Sequence, residues 1–214
     1  MENRTIHSLL TPDNCAVILI DYQPQMFFGI QSIDRQMLIN NAVGLAKSAK
    51  AFNVPTILTS VATKSFSGIF LPQVQSEFPG REPIDRTTMN TWEDLRVVAE
   101  VKKIGRKKLI LGGLWTEVCI VLPTIQAIEA GYEVYIIADA CGGVTPTAHD
   151  MAMQRMIQAG AVPMTWIQFL LELQRDWARQ ATYEATTKII LEHGGAYGQG
   201  ILYAKTMLGA HTAG

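Results

Sequence analysis

Two residues of this chain stand where nucleophilic chemistry is possible: the thiol of Cys119 and the carboxylate of Asp21. A thiol that attacks a carbonyl needs a base to take its proton, a cation to balance charge and N–H donors for the developing oxyanion. Cys119 lies in a stretch where Lys108 to Leu111 read as a short apolar strand and Gly112-Gly113 as a turn. Val118 onward reads as a helix whose apolar face continues through Leu122, Ile125 and Ile128. The sulfur therefore sits near a helix N-terminus beyond the carboxyl end of a strand. Ligands bind there in open parallel sheets, and the helix dipole favours a thiolate over a thiol. Against this stands the ordinary fate of cysteine, burial in a core. Asp21 closes the apolar run Ala16 to Ile20 and is the candidate base; its ordinary role would be to cap the turn at Gln23-Pro24.

These two residues need a scaffold. Ala16 to Ile20 has the continuous apolar character of a strand covered on both faces. Asp34 can cap a helix through Leu38, Ala42, Leu45, Ala46 and Ala49, and Asn53 releases the chain into a second strand, Val54 to Thr59. Strand, helix and strand in this order imply a right-handed parallel crossover. Residues 60–91 are irregular, with one short helix around Leu71 to Phe78 and a short strand at Glu82 to Asp85 that brings Arg86 to the carboxyl edge of the sheet. Glu93 to Ile104 reads as a helix closed by Gly105. Val134 to Asp139 is another buried strand, Thr147 can cap a helix through Met156, Gly160 to Thr165 is the last strand, and Ile167 to Leu173 opens a final core helix.

The result is an α/β protein: a three-layer, doubly wound, Rossmann-like sheet of about six mainly parallel strands with a C-terminal helical tail. Its usual strand order places the strand of Asp21 beside that of Cys119 at the switch point. We read 1–176 as one domain and 177–214 as a helical extension. Within the extension, Tyr183 to His193 is a plausible amphipathic helix. Gly194 to Gly200 and Ile201 to Gly214 look unable to bury themselves locally, and the apolar Ile201, Leu202, Tyr203, Met207 and Leu208 point to a subunit interface and a homo-oligomer.

Lys and Arg total 18 against 19 Asp and Glu, a formal charge of −1, so there is no basic field for nucleic acid or anionic lipid. No run approaches the length of a membrane span and the amino terminus lacks a signal-peptide layout. The three cysteines, Cys15, Cys119 and Cys141, cannot all pair and lack zinc-site spacing, which fits reduced thiols in a cytoplasmic protein with a small-molecule substrate.

Three ordered segments carry a resemblance: Val17 to Gln23, Pro55 to Ser60, and Gly112-Gly113-Leu114-Trp115-Thr116-Glu117-Val118-Cys119-Ile120. With Gly160 to Trp166 and Glu172 to Trp177, they resemble the isochorismatase-like cysteine hydrolases, within them the YcaC-like branch. The resemblance implies catalytic residues Asp21, Arg86 and Cys119, with Arg86 standing where amidase-type members have lysine. A guanidinium stays charged and can hold a carboxylate but cannot shuttle a proton as lysine does. Lys64 is the other candidate cation. The resemblance also implies a cis peptide at Leu114–Trp115 and an oxyanion hole from the N–H groups of Trp115 and Cys119.

Phe27, Phe28, Phe66, Asn90, Trp92 and Trp115 are candidate substrate-binding walls. Nicotinamidase-type relatives carry a metal through an Asp and closely spaced His; here Val61 to Phe66 has no His, and His7, His149, His193 and His211 lie far apart, so no metal and no cofactor is expected. His149 reads as a helix-surface residue. The expected activity is hydrolysis of a small amide, imide or other C–N bond through a thioester. The alternatives are an isochorismatase-type vinyl-ether hydrolase, disfavoured by the cysteine, and a non-catalytic small-molecule-binding module, disfavoured by the lack of a Gly-rich fingerprint after the first strand.

Overall fold

The structure, a computed structural model, describes residues 8–207 and Gly209. Six strands form one sheet: β1 (Cys15–Ile20), β2 (Thr56–Val61), β3 (Ile84–Arg86), β4 (Lys108–Leu114), β5 (Glu133–Gly142) and β6 (Val162–Met164), in the order β3-β2-β1-β4-β5-β6. Every pairing is parallel. All six residues of β1 are buried, as expected of a central strand covered on both faces. The strand order reverses between β1 and β4, so the loops after these two strands flank the switch point.

Helices cover the sheet in two layers. α1 (Pro24–Phe28) is a single turn after β1, and α2 (Arg35–Ala51) follows, with the Asp34 carboxylate accepting from Met37 N at 2.8 Å. α3 (Pro72–Gln75) is another short turn, and α4 (Leu95–Ile104) ends at Gly105 with φ 72°, a left-handed stop that glycine adopts without penalty. α5 (Val121–Glu129), α6 (Pro146–Ala159) and α7 (Trp166–Gln174) complete the core, followed by α8 (Gln180–His193) and α9 (Ala196–Met207). α2 packs with α7 and α8, and α5 packs with α6 and with the 3-10 turn Thr91–Glu93 that leads into α4. Right-handed crossovers put these two groups on opposite faces. At the α2–α7 contact, a Cβ on Gly44 would lie 2.8 Å from the Trp166 ring, so the helices meet only because that side chain is missing.

Several local expectations are corrected. α6 begins at Pro146 and is capped by Thr145, not Thr147, because proline suits the first helical position where no N–H partner is needed. The chain from Thr116 to Ile120 is a wide π turn, not regular helix. Its extra residue rotates the following face, so α5 buries Val121, Pro123, Thr124 and Ala127, while Leu122, Ile125 and Ile128 are only half-buried. Residues 196–207, read as unable to bury themselves locally, form a helix on α8, where Gly198 permits contact with the Ile190 carbonyl. Leu208 of the expected apolar tail, and the segments 1–7 and 210–214, lie outside the described residues. Among the described residues no helix is long and apolar enough to cross a membrane.

Candidate functional site

Asp21 follows the last residue of β1 in a left-handed backbone conformation, φ 55°, with its N–H donating to Thr59 O at 2.9 Å. A non-glycine residue holds that conformation only where its surroundings enforce it. Gln23 supplies part of the enforcement. Its buried amide accepts from Val61 N at 2.9 Å and donates to Val61 O at 3.0 Å and Gly68 O at 2.6 Å, tying the end of β2 and the loop after it to the segment that carries Asp21. Reading the sequence as a turn at Gln23-Pro24 missed this role; a polar side chain between apolar neighbours was the available signal.

Arg86 ends β3, in register with Val61 of β2. Its guanidinium donates to Asp21 Oδ2 at 2.5 Å and to the carbonyl of Thr88, and the Asp21 and Arg86 side chains are both 0% exposed. Lys64, the other candidate cation, is exposed in the loop after β2. The charge that meets Asp21 is therefore the guanidinium.

Cys119 sits in the wide turn that begins one residue after Trp115, with 4% of its surface exposed. At the other end of this approach, β4 comes very close to β1: Gly113 has φ 155°, and a Cβ there would lie 2.0 Å from Ile20 O. Only glycine allows that contact, which brings the chain leading to Cys119 against the strand leading to Asp21. The Leu114–Trp115 peptide is cis, and the Trp115 N–H hydrogen-bonds toward the Cys119 sulfur.

The electrostatics correct the expectation of a resting thiolate. Burial, and next the Asp21 carboxylate, push the Cys119 thiol up to about 12, outweighing the opposite pull of Arg86 and the Trp115 N–H. Burial likewise raises Asp21 to about 6, against the lowering effects of Arg86, the Cys119 thiol and the Thr59 hydroxyl. Near neutral pH the pair is a carboxylate beside a thiol. Asp21 Oδ1, Thr59 Oγ1 and Arg86 Nε are buried without a partner at ordinary hydrogen-bond geometry.

The aromatic candidates divide. Trp115 is half-buried; its indole Nε1 donates to Met26 O at 3.0 Å, its ring meets Phe66 edge-on at 6.2 Å, and a Cβ at Gly29 would crowd that ring at 3.0 Å. Phe27 is buried and stacks on Tyr22 at 6.3 Å, while Phe28 is 74% exposed. Asn90 is buried, bonded to Gln126 of α5 at 2.8 Å and capping Trp92 N at 3.0 Å, and Trp92 packs edge-on against Tyr132. Trp115 and Phe66 are thus brought together at the entry to the turn that bears Cys119, whereas Asn90 and Trp92 are engaged with α5 and its C-terminal turn.

Residues 15–168 match the isochorismatase domain family. The chain belongs to the isochorismatase family. Over 169 residues it is 37% identical to the probable hydrolase YcaC of Escherichia coli K12, a match covering 78% of this chain and 81% of that one. Its fold is similar to that of YcaC from Pseudomonas aeruginosa, solved with hexane-2,5-diol and covalent acrylamide: TM-score 0.90, 33% identity, covering 94% of this chain and 99% of that one. It is equally similar to the crystal structure of E. coli YcaC, described as an octameric hydrolase of unknown specificity, with TM-score 0.90, 33% identity and coverage of 95% and 99%.

In this isochorismatase-family chain the wide turn makes further bonds that the sequence did not disclose. Thr116 Oγ1 lies 2.8 Å from His149 Nδ1, and Glu117 Oε1 accepts from Val144 N at 2.8 Å. His149 is therefore half-buried against the turn that bears Cys119, not a helix-surface residue, because α6 packs on that turn and Thr116 holds the His149 ring. Among the described residues no group of three His, Cys, Asp or Glu is placed to hold a metal ion; His7 and His211 lie outside those residues.

Proposed function

We propose that this isochorismatase-family chain is a hydrolase of a small amide, imide or related C–N bond, with Cys119 as nucleophile. The observation that carries the reading is the buried Asp21 carboxylate, paired with Arg86 at 2.5 Å and set beside Cys119, whose thiol burial pushes up. As sulfur bonds to the substrate carbonyl carbon, Asp21 takes the thiol proton and the carbonyl π pair moves to oxygen. That oxyanion is held by the Trp115 and Cys119 N–H groups, each worth about 3 kcal/mol in such sites. Collapse breaks the C–N bond, and the proton on Asp21 goes to the leaving nitrogen. Water then adds to the thioester, giving its proton to Asp21, and collapse returns that proton to sulfur as the acid departs. Arg86 keeps the carboxylate oriented and charged between steps without exchanging a proton itself.

The covalent acrylamide on YcaC from Pseudomonas aeruginosa supports the presence of an addition-competent nucleophile in that relative. The test here is a panel of small amides and imides assayed with purified protein, Cys119→Ala as control, and intact mass after rapid acid quench. A mass increase equal to the acyl group on wild-type protein alone supports the reading. Turnover that persists in Cys119→Ala overturns it.

E. coli YcaC is octameric, and this chain exposes Leu202, Tyr203 and Met207 along α9 and Leu191 on α8. We propose that residues 177–214 form an extension by which copies of the chain associate, since apolar faces of this kind are normally covered.

A further inference from the structure

Thr116 opens the turn that bears Cys119 and is fully buried, so its hydroxyl depends on protein for a partner; that partner is His149. The next residue, Glu117, is fixed through Val144 N. The turn is thus bolted at its first two residues to the β5–α6 connection and to α6 itself. Packing leaves no slack between the bolts: a Cβ on Gly143 would lie 2.7 Å from Glu117 Oε2 and 3.0 Å from His149 Cβ. The backbone of the wide turn makes a poorer anchor, since the Trp115 carbonyl is shared between Val118 N at 3.1 Å and Ile120 N at 3.4 Å. Side-chain ties at Thr116 therefore bear on where the Trp115 N–H and the Cys119 sulfur point.

We infer that His149 is a positioning residue for the nucleophile: through the Thr116 hydroxyl it fixes the turn so that Cys119 faces Asp21 and the Trp115 N–H. Burial lowers the pKa of its ring against the opposing pull of Asp150 and Glu117, so near neutral pH it is uncharged and its Nδ1 lone pair can accept the Thr116 O–H. The remaining ring nitrogen then carries the proton, a tautomer assigned from this bond.

The inference rests on Cys119 being the nucleophile, and a test that needs no substrate separates the two. Acrylamide adds to a thiol by forming a C–S bond at its terminal carbon, while the thiol proton goes through base or solvent to the adjacent carbon. The second-order rate of this addition at Cys119 is followed by intact mass and peptide mapping, with melting temperature measured in parallel. His149→Ala is expected to slow it about tenfold, the scale of a small misplacement of a reacting atom. His149→Asn, whose amide oxygen can occupy the place of Nδ1, is expected to recover most of the rate even if it melts no higher than the alanine variant. Thr116→Val should match His149→Ala, and the double variant should be no slower than either. A wild-type rate in folded His149→Ala or Thr116→Val overturns the inference alone, as does a histidine-to-asparagine variant that melts like wild type but stays slow. Wild-type protein unmodified at Cys119 overturns the reading of the nucleophile, and the inference with it.

Discussion

Asp21 and Arg86 meet through a single oxygen and a single nitrogen, 2.5 Å apart, with neither side chain exposed to solvent. A buried ion pair adds little net stability relative to apolar packing, but removing one partner leaves an uncompensated charge. Arg86→Ala should therefore destabilise the fold by about 3–5 kcal/mol at neutral pH. Urea unfolding at pH 7.5 measures it; a loss under about 1 kcal/mol would mean the carboxylate is solvated after all.

The pH dependence of activity follows from the same pair. If Asp21 works as the base, kcat/KM rises with pH through about 6. Cys119, held up near 12, contributes no falling limb below pH 9. A profile that instead rises through 8 to 9 would identify thiol ionisation as the controlling step and dismiss the carboxylate.

Stability responds in the opposite sense. The folded pKa of Asp21 is raised above its unfolded value, so the native state holds this proton more tightly between about 4 and about 6. The stabilisation is present below the unfolded pKa and is lost as pH climbs through 6. Relative to wild type, Asp21→Asn should gain stability between pH 4 and pH 7.5, read from paired denaturant titrations; a constant difference across that range contradicts the raised pKa.

The two roles of Asp21 can be pulled apart. Asp21→Asn removes the charge that opposes the thiolate while leaving Arg86 in place, so the pH midpoint of Cys119 alkylation should fall below that of wild type. Hydrolysis should nonetheless collapse, by about 10⁴-fold, for want of a proton acceptor. An alkylation midpoint that rises would show that Asp21 favours the thiolate.

Gly113→Ala should be among the most damaging single changes, since the added carbon would lie 2.0 Å from Ile20 O. Either the fold is lost or stability drops by more than about 4 kcal/mol. A soluble variant of wild-type melting temperature would show that the two strands can part without harm.

Truncation after Gly194 removes α9 and its exposed apolar side chains while leaving α8 against α2. Light scattering should report a smaller assembly. An unchanged mass would place the subunit contacts elsewhere.

The parts of the fold legible in the sequence were those written as long apolar runs ending in a polar residue. Ile20-Asp21 marked the end of β1, and Lys108 to Leu111 marked the start of β4 beside it, because strands buried on both faces leave little choice of side-chain type; Gly112-Gly113, read as a turn, instead continue the strand to Leu114, since glycine lets β4 approach β1 at Gly113. Arg86 was legible through motif resemblance, since a strand of three residues has no periodicity to detect. Three features were not legible. The wide turn at Thr116 to Ile120 changes helical register by backbone geometry, which residue types do not announce. Gln23 and His149 act through partners 38 to 45 and 33 positions away. The thiol state of Cys119 reflects burial, which outweighs the local N–H and guanidinium effects that position suggested.

Asp21 and Cys119 are delivered by neighbouring interior strands whose approach is set at Ile20 and Gly113, while Phe28, Phe66 and much of what surrounds Trp115 belong to connecting segments outside the sheet. On the mechanism proposed above, bond breaking and substrate choice fall in physically separate stretches of chain. Insertions or substitutions in those connections can retune what enters without retooling what cuts, so one scaffold can serve many diets at little mutational distance.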